Sequence, residues 1–207
     1  MITNRKNLEL QALIAEKSDF NEQYGRKDIL RIEGIEYTEN EDKSTLQKSV
    51  IEKLAKENVI IQKSDIFRLH RSGKPYSLNK FKEYRNKLKD TTDQPIDPQD
   101  KGLTAQVMIR FTNWDARSRV YNLHYNGSST LSVRCDLSKY RTDLLQTARK
   151  YLQDNKLRGY CYNNSECQLI LKNPDKAKGH FFTNFTEFKY QASMLTKDSK
   201  YHEKSHP

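Results

Sequence analysis

Residues 105–112 read AQVMIRFT, and residues 113–121 read NWDARSRVY. In the first stretch valine, isoleucine and phenylalanine alternate with glutamine, methionine and arginine, which is the two-residue period of a strand with one buried face. In the second stretch apolar residues recur at helical spacing behind Asp115, the expected N-cap. The sequence therefore predicts a strand that leads into a basic helix, with Arg110 on the accessible face of the strand.

Strand and helix patterns of the same kind precede and follow this stretch. A helical pattern over residues 44–58 begins at Ser44, another expected N-cap. Three more segments show strand patterns: residues 28–35, 65–71 and 131–135. In the segment 65–71, strict alternation places Phe67 with Leu69 on one side of the strand and Arg68 on the other.

The resulting order of elements predicts an α+β fold. It is the β-α-β-β-α-β order of ferredoxin-like and RNA-recognition-motif (RRM) folds, in which two helices cover one face of an antiparallel sheet. We assign an RRM-like domain to residues 26–135. In such a domain the face without helices is where single-stranded bases bind.

A second, smaller α/β domain is predicted for residues 136–190. Its elements are a helix capped by residues 136–138, two short strands and a closing helix: residues 139–155, 159–162, 167–171 and 181–188. Residues 191–207 lose all periodicity, and we expect them to form a disordered tail.

Residues 1–25 are predicted to form an N-terminal amphipathic helix. Its seam follows alternating three- and four-residue steps: Leu10, Leu13, Lys17, Phe20 and Tyr24. A seam of about three heptads is marginal as an independent coiled coil. The helix either packs on its own domain or associates with a further segment or a second copy, and the sequence leaves these alternatives open.

Charge is the strongest compositional signal. Of the 207 residues 31% are charged, the formal net charge is +10, the pI is near 9.4 and the mean hydropathy is −0.97. This excess favours a polyanionic partner, above all nucleic acid, over the alternative of a basic protein that is merely soluble. No apolar run is long enough to cross a bilayer and the N-terminus has no apolar signal core. We therefore expect an intracellular protein, in a cytoplasmic ribonucleoprotein or in the nucleus.

A long basic insertion, residues 72–104, separates the second and third predicted strands. Residues 68–90 contain eight basic residues against two acidic ones, interleaved with three aromatic residues. Such a run is often only a solvated surface, but cations interleaved with aromatic rings favour contact with a phosphate backbone. Residues 78–88 are expected to form a short basic helix, and residues 91–102 a flexible arm.

Motifs for catalysis or metal binding are absent from the sequence. Cys135, Cys161 and Cys167 are odd in number and form no Cys-x-x-Cys pair, so neither a disulfide framework nor a zinc finger is predicted. The chain also has no Gly-rich phosphate loop and no paired-histidine motif. We therefore expect a protein that is not an enzyme and that needs no cofactor or metal.

Five short segments stand in a fixed order along the chain: EQYGRKDILRIEGI at 22–35, DIFRLHR at 65–71, VMIRF at 107–111, DLS at 136–138 and LLQTAR at 144–149. In this order they resemble the first open-reading-frame protein of LINE retrotransposons and its invertebrate relatives. In that family a coiled coil precedes an atypical RRM domain and a small C-terminal domain. The resemblance implies binding of single-stranded nucleic acid and activity as a nucleic-acid chaperone.

The resemblance also implies which basic positions contact RNA: Arg68, Arg71, Arg110, Arg149 and Lys150. Tyr160 or Tyr162 is similar to the aromatic residue of the family's C-terminal domain that packs near the nucleic acid. The charge pattern adds further candidates in the two domains and the insertion: Arg31, Lys74, Lys80, Lys82, Arg85, Arg117, Arg119 and Arg141.

These observations predict a protein that binds single-stranded RNA or DNA. An ordinary RRM stacks bases on aromatic residues of its two central strands, whereas these strands carry Arg31, Gln106 and Met108 here. Binding is therefore expected to be driven by charge, largely independent of base sequence and steeply dependent on salt.

Two alternatives to this interpretation are open. For Arg31 the alternative is an ion pair with an acid across the sheet. For the whole chain the alternative is a scaffold subunit of a nucleoprotein complex, whose N-terminal helix and basic insertion contact proteins.

Overall fold

The computed structural model describes most of the chain: residues 2–89, 102–125 and 129–196, without the side chains of residues 2–9, 12, 85 and 87–89. Three predictions lie wholly or largely outside these ranges. They are the flexible arm at 91–102, a turn that the Asn-Gly-Ser-Ser sequence at 126–129 predicts, and the part of the tail 191–207 that begins at residue 197.

The described residues form an α+β fold with six α-helices and two antiparallel sheets. In chain order the elements are α1 Ile2–Arg26, β1 Ile29–Glu33, α2 Lys43–Lys56, β2 Ile66–Ser77, α3 Leu78–Lys89, β3 Leu103–Phe111, α4 Trp114–Tyr121, β4 Ser132–Cys135, α5 Lys139–Asp154, β5 Tyr160–Asn163, β6 Leu169–Lys172, β7 His180–Phe182 and α6 Phe185–Ala192. The chain divides into two compact units, a central unit of residues 28–136 and a terminal unit that contains α1 and the elements from α5 onward.

The central unit contains a four-stranded antiparallel sheet in the order β2-β3-β1-β4. The two middle strands bury alternate residues completely: Leu30 and Ile32 on β1, and Val107 and Ile109 on β3 are 0% exposed. Helices α2 and α4 contribute the matching apolar residues, among them Val50, Leu54 and Val120. The predicted period of residues 105–112 is therefore confirmed, because burial on β3 alternates as expected.

Both predicted N-caps in this unit are wrong by two residues. Helix α2 is capped by Asp42, whose Oδ1 accepts a hydrogen bond from the Thr45 amide at 2.6 Å, and this bond lowers the pKa of the Asp42 carboxyl group. Helix α4 is capped by Asn113, whose side chain accepts from the Ala116 amide at 2.8 Å. In each case an Asx residue with extended backbone precedes the predicted position and satisfies the free helix amide first.

The predicted insertion at 72–104 is partly regular structure. Strand β2 continues past the predicted end to Ser77, and α3 follows directly, so the expected short helix at 78–88 is confirmed. The Phe81 side chain of α3 is 2% exposed. Helix α3 is therefore anchored in the core of the central unit by an apolar residue.

The terminal unit has a three-stranded antiparallel sheet in the order β5-β6-β7, with α5 and α6 packed against it. Its core consists of apolar residues from all five of these elements: Leu144, Leu145, Ala148, Leu152, Cys161, Leu169, Leu171, Phe182, Phe188 and Ala192. The predicted helix at 139–155 and the two strands after it are confirmed within one or two residues.

The chain after residue 180 differs from the prediction. The expected helix at 181–188 begins only at Phe185, because residues 180–182 pair with β6 as strand β7. Residues 191–196, expected in the tail, are ordered: Ala192 is 0% exposed, and the Arg158 amide donates to the Thr196 carbonyl at 2.8 Å. Aromatic residues at 181, 182 and 185 fit a helix or a strand, and strand pairing decides between them.

Helix α1 packs on the other elements of the terminal unit through polar residues. Asp19 is 7% exposed and Gln23 is 3% exposed. The Ser138 amide donates to Gln23 Oε1 at 2.8 Å, and the Ser138 hydroxyl donates to Asp19 Oδ1. The alternative in which α1 packs on its own domain is therefore what the structure shows for the C-terminal half of the helix.

Within the described ranges, no helix combines the length and the apolar character that a membrane span requires.

Gly34, directly after β1, provides a test of how α3 is anchored. Its φ is +96°, and a Cβ there would lie 2.8 Å from the Phe81 ring and 2.8 Å from the Thr130 carbonyl oxygen. Gly34→Ala combines left-handed strain with overpacking, so we expect the free energy of unfolding to fall by about 2–4 kcal/mol in urea denaturation.

Gly73→Ala is the matched control, because Gly73 has φ +79° but no atom within 4 Å of the added Cβ. This substitution should lower the free energy of unfolding only by the backbone strain, which is about 1 kcal/mol. Equal losses for the two variants would contradict the close packing of Phe81 against Gly34.

Candidate nucleic-acid interface

The sheet face opposite the buried residues carries a concentration of arginines. Two neighbouring rows cross this face in strand order, with Arg68, Arg110 and Ile29 in one row and His70, Met108, Arg31 and Arg134 in the next. Arg68 therefore faces Arg110 across β2 and β3, and Arg31 faces Arg134 across β1 and β4. Like charges directly opposite each other on neighbouring strands are destabilising unless they are balanced.

The pair Arg31 and Arg134 is balanced within the protein. Arg31 Nε and Nη2 lie 2.7 and 2.5 Å from Asp136 Oδ1, and the Asp136 side chain is only 1% exposed. Arg134 Nη2 lies 2.6 Å from Glu33 Oε1, which also accepts from Gln106 Nε2 at 3.0 Å. The alternative role of Arg31, an ion pair with an acid, is thus the one that the structure shows.

The pair Arg68 and Arg110 has a different environment. Arg68 is exposed, and within the described residues its side chain makes no hydrogen bond or ion pair. The guanidinium of Arg110 lies over the ring of Phe67, with 5.8 Å from Cζ to the ring centroid. Phe67 itself is 66% exposed. This corner of the sheet therefore combines two cations and an accessible aromatic ring.

Arg71, a predicted RNA contact, is bonded to other residues of the central unit. Its Nε lies 3.0 Å from Glu41 Oε2, and its Nη1 donates to the carbonyl oxygens of Ile35 and Ala105 at 2.9 Å each. The side chain is only 12% exposed. Because Arg71 pairs in register with Val107, it lies on the covered side of the sheet, where these acceptors are.

Arg117, another predicted nucleic-acid contact, is also inside the protein. It is 0% exposed, its guanidinium lies 4.5 Å from the Trp114 ring centroid, and Nη2 is 3.4 Å from Cys135 Sγ. Its neighbour Ala116 is also 0% exposed, and both lie on the side of α4 that faces the core. Arg71 and Arg117 are therefore left out of the candidate interface.

The other predicted cations of the central unit lie at the surface or near it. Lys74 and Lys80 are exposed, Lys82 is half-buried, and the side chain of Arg85 lies outside the description. Arg119 is exposed but forms an ion pair with Asp115, one helical turn earlier. Lys74 on β2 and Lys80 on α3 are thus accessible, while Arg119 is partly neutralised.

The predicted nucleic-acid contacts of the terminal unit differ in their accessibility. Arg141 is held by Asp19 Oδ2 at 2.8 Å and by the Cys167 carbonyl at 2.8 Å, so it fixes α1 rather than facing solvent. Arg149 and Tyr160 line one cleft together with Lys156, and Lys150 is exposed on α5.

The aromatic candidates of this unit form a pair. The rings of Tyr160 and Tyr162 are tilted against each other at a centroid distance of 5.8 Å, and Tyr160 is 48% exposed. Tyr162 is half-buried. Of the two residues, Tyr160 therefore presents the more accessible ring beside Arg149.

The cysteines and the potential metal ligands can be compared with the predictions for them. All three cysteines are buried, and burial raises the pKa of the Cys161 thiol to about 12, which keeps it protonated at neutral pH. Among the described side chains, no group of three His, Cys, Asp or Glu residues is placed to hold a metal ion.

Comparison with known proteins does not assign the chain to a class: neither a scan against protein-family models nor a search of curated proteins finds a match.

Two features of this face were missed by reasoning from the sequence. Phe67 was placed with Leu69 on one side of β2, but a register shift between Ile66 and Arg68 breaks the alternation and leaves Phe67 exposed beside Arg68. Asp136 was expected only as part of a helix cap, whereas it is the buried partner of Arg31. Neither feature has a local signal, because a bulge and a cross-strand ion pair both depend on a partner strand.

The different roles of Arg31 and Arg68 can be tested by stability. Arg31→Ala leaves the Asp136 carboxylate buried without its partner, so we expect the free energy of unfolding to fall by about 1–3 kcal/mol. Arg68→Ala removes an exposed side chain with no described partner and should change it by less than about 0.5 kcal/mol. Chemical denaturation of both variants provides the measurement, and a loss for Arg68→Ala as large as that for Arg31→Ala would refute the distinction.

Proposed function

We propose that this protein binds single-stranded nucleic acid, without catalysis, through the arginine-rich face of the central sheet. The observation that carries the proposal is the cross-strand pair Arg68 and Arg110 beside the exposed Phe67. On the same face Arg31 pairs with Asp136 and Arg134 pairs with Glu33. A phosphate backbone supplies the negative charge that two adjacent arginines favour.

The topology of the central unit supports an RRM-like assignment. In the order β2-β3-β1-β4 the first and third strands are central, all pairs are antiparallel, and the connections supply helices after β1 and β3. This arrangement agrees with the split β-α-β plan expected from the sequence. It also agrees with the resemblance to the LINE retrotransposon proteins, and we propose a retroelement origin on the same grounds.

The residues on the two central strands favour binding with little base specificity. Where an ordinary RRM presents stacking aromatic residues, the accessible positions here are Arg31, Gln106 and Met108. Arg31 is held by Asp136, and Gln106 donates to Glu33. Contacts to phosphate therefore dominate, and a protein that binds many sequences weakly and exchanges quickly suits a nucleic-acid chaperone.

The terminal unit offers a second cationic and aromatic cluster. Arg149, Lys156 and Tyr160 line one cleft, and Lys150 lies on the same helix as Arg149. Binding by both units of one chain would raise the affinity for long strands above that of either unit alone, because the second contact is intramolecular.

The salt dependence of binding tests the proposal. We expect Arg68→Ala with Arg110→Ala to lower the affinity for a labelled oligonucleotide of about 20 unpaired residues by about tenfold at low salt. The slope of log K against log salt should also become shallower by about 1.4, since each lost phosphate contact contributes about 0.7. Fluorescence anisotropy between about 50 and 200 mM salt measures both quantities.

The matched control removes the same charge from the other side of the sheet. Lys48 and Lys56 are exposed on α2, which packs on the covered face. Lys48→Ala with Lys56→Ala should leave the slope unchanged. If the control lowered affinity and slope as much as the arginine variant, binding would depend on net charge alone and not on this face.

A second candidate function is a protein contact through α1. The residues of α1 that pack on the terminal unit are polar, whereas its large apolar residues are exposed: Leu10, Leu13, Ile14, Phe20 and Tyr24 at 49 to 65%. Phe20 and Tyr24 also border a cavity together with Phe181. Clustered exposed apolar residues mark interaction surfaces, so we propose that α1 associates with a second copy or with a protein of a nucleoprotein complex.

Charge substitutions on α1 test self-association. Leu13→Glu with Phe20→Glu should shift the sedimentation profile at micromolar concentration from an oligomer to a monomer, because each carboxylate would be buried in the seam. Gln11→Glu with Ser18→Glu adds the same charge at exposed positions away from the seam and should leave the oligomer intact. A wild-type chain that sediments as a monomer at every concentration would exclude self-association.

A further inference from the structure

Phe67 has a role that the sequence pattern does not indicate. We propose that its ring is a stacking platform for one unpaired base of the bound strand, while Arg68 and Arg110 bind the phosphates on either side of that base. The inference rests on the proposed nucleic-acid function and adds to it a specific subsite at the edge strand β2. It implies a ligand that is single-stranded at this point, since a paired base cannot present its face to the ring.

The bulge in β2 creates the platform. Ile66 pairs with Phe111 and Arg68 pairs with Arg110, so Phe67 is an extra residue with no partner on β3. Ile66 is 8% exposed and belongs to the core, whereas Phe67 is 66% exposed. An inserted residue of this kind redirects side chains, and bulges are common beside functional sites for that reason. Regular alternation would place this aromatic ring on the covered side of the strand, whereas the bulge places it on the arginine-rich side.

The surroundings of Phe67 favour a nucleic-acid base over a protein side chain. The ring is next in sequence to Arg68, and the Arg110 guanidinium lies over it with 5.8 Å from Cζ to the centroid. An exposed phenylalanine alone needs no explanation. A phenylalanine beside two arginines that face each other across the strands can bind one nucleotide, with the base on the ring and its phosphates near the guanidinium groups.

Loss of the Phe67 ring should affect binding differently from loss of the two arginines. Stacking on an aromatic ring is nearly independent of salt and tolerates every base, because each base has a π-face. Removing the ring should therefore reduce affinity by about 5- to 100-fold without changing the salt slope. Removing the arginines should reduce the slope. The two kinds of contact are separable in one titration series.

The experiment compares full-length wild type with Phe67→Ala and Phe67→Trp. The probes are a thymidine oligonucleotide of about 20 residues and an abasic oligonucleotide of equal length and charge, which has phosphates but no bases. We expect Phe67→Ala to bind the thymidine probe about 5- to 100-fold more weakly with an unchanged salt slope, and to bind the abasic probe like the wild type. Phe67→Trp retains a larger ring and should bind the thymidine probe at least as tightly as the wild type.

Ile60→Ala is the matched control, because Ile60 is 77% exposed, apolar and located in the loop between α2 and β2. It should leave both affinities unchanged. Phe67→Leu supplies a second variant that keeps an apolar side chain without a π-face, and it should behave like Phe67→Ala. Circular dichroism of all variants confirms folding before binding is compared.

The outcomes separate this inference from the proposed function. If the wild type binds the thymidine probe with a steep salt slope and Phe67→Ala and Phe67→Leu bind equally well, the stacking platform is refuted and the charge-driven interface remains. An equal loss on the abasic probe would also refute stacking, because no base is present there. If the wild type binds neither probe at low salt, the proposed function itself fails.

Discussion

The two-residue period of the central strands is the constraint on which the rest of this structure depends. Because Leu30, Ile32, Val107 and Ile109 are fully buried, every residue between them is directed to the other face of the sheet. The residues that alternate with the core on these strands include Arg31 and Arg110, so burial of the core places positive charge on one surface. A shift of one residue in the register would bury these charges, and the cost of burying them fixes the register.

The two cross-strand arginine pairs lie in different surroundings. Arg31 and Arg134 are matched by Asp136 and Glu33, and the nearly complete burial of the Asp136 side chain makes that ion pair part of the fold. At the β2 edge the arginines lie beside an exposed aromatic ring instead. One side of the sheet face is thus joined by ion pairs within the unit, and the other side carries the exposed residues Phe67 and Arg68. Net charge alone would not distinguish them.

Helix α1 shows that hydrophobic pattern and packing need not coincide. Its apolar seam suggested the surface by which the helix would pack, yet Asp19 and Gln23 are the residues that it buries, through hydrogen bonds to Ser138 and an ion pair with Arg141. Ser138 is also the N-cap of α5, so one serine joins α1 to the start of the next helix in the same unit. The apolar residues Leu10, Leu13 and Phe20 of the seam are exposed.

The sequence by itself determined the order of elements as far as β6, the α+β class, the buried faces of β1 and β3, and the excess of basic residues, because these follow from local periodicity and composition. It misplaced the caps of α2 and α4 by two residues and the start of α6 by four. Only the tertiary structure decided which arginines are accessible. Arg71 and Arg117 are enclosed and Phe67 is exposed, since acceptors from distant segments, helix packing and a bulge against β3 are not encoded in any short stretch of chain.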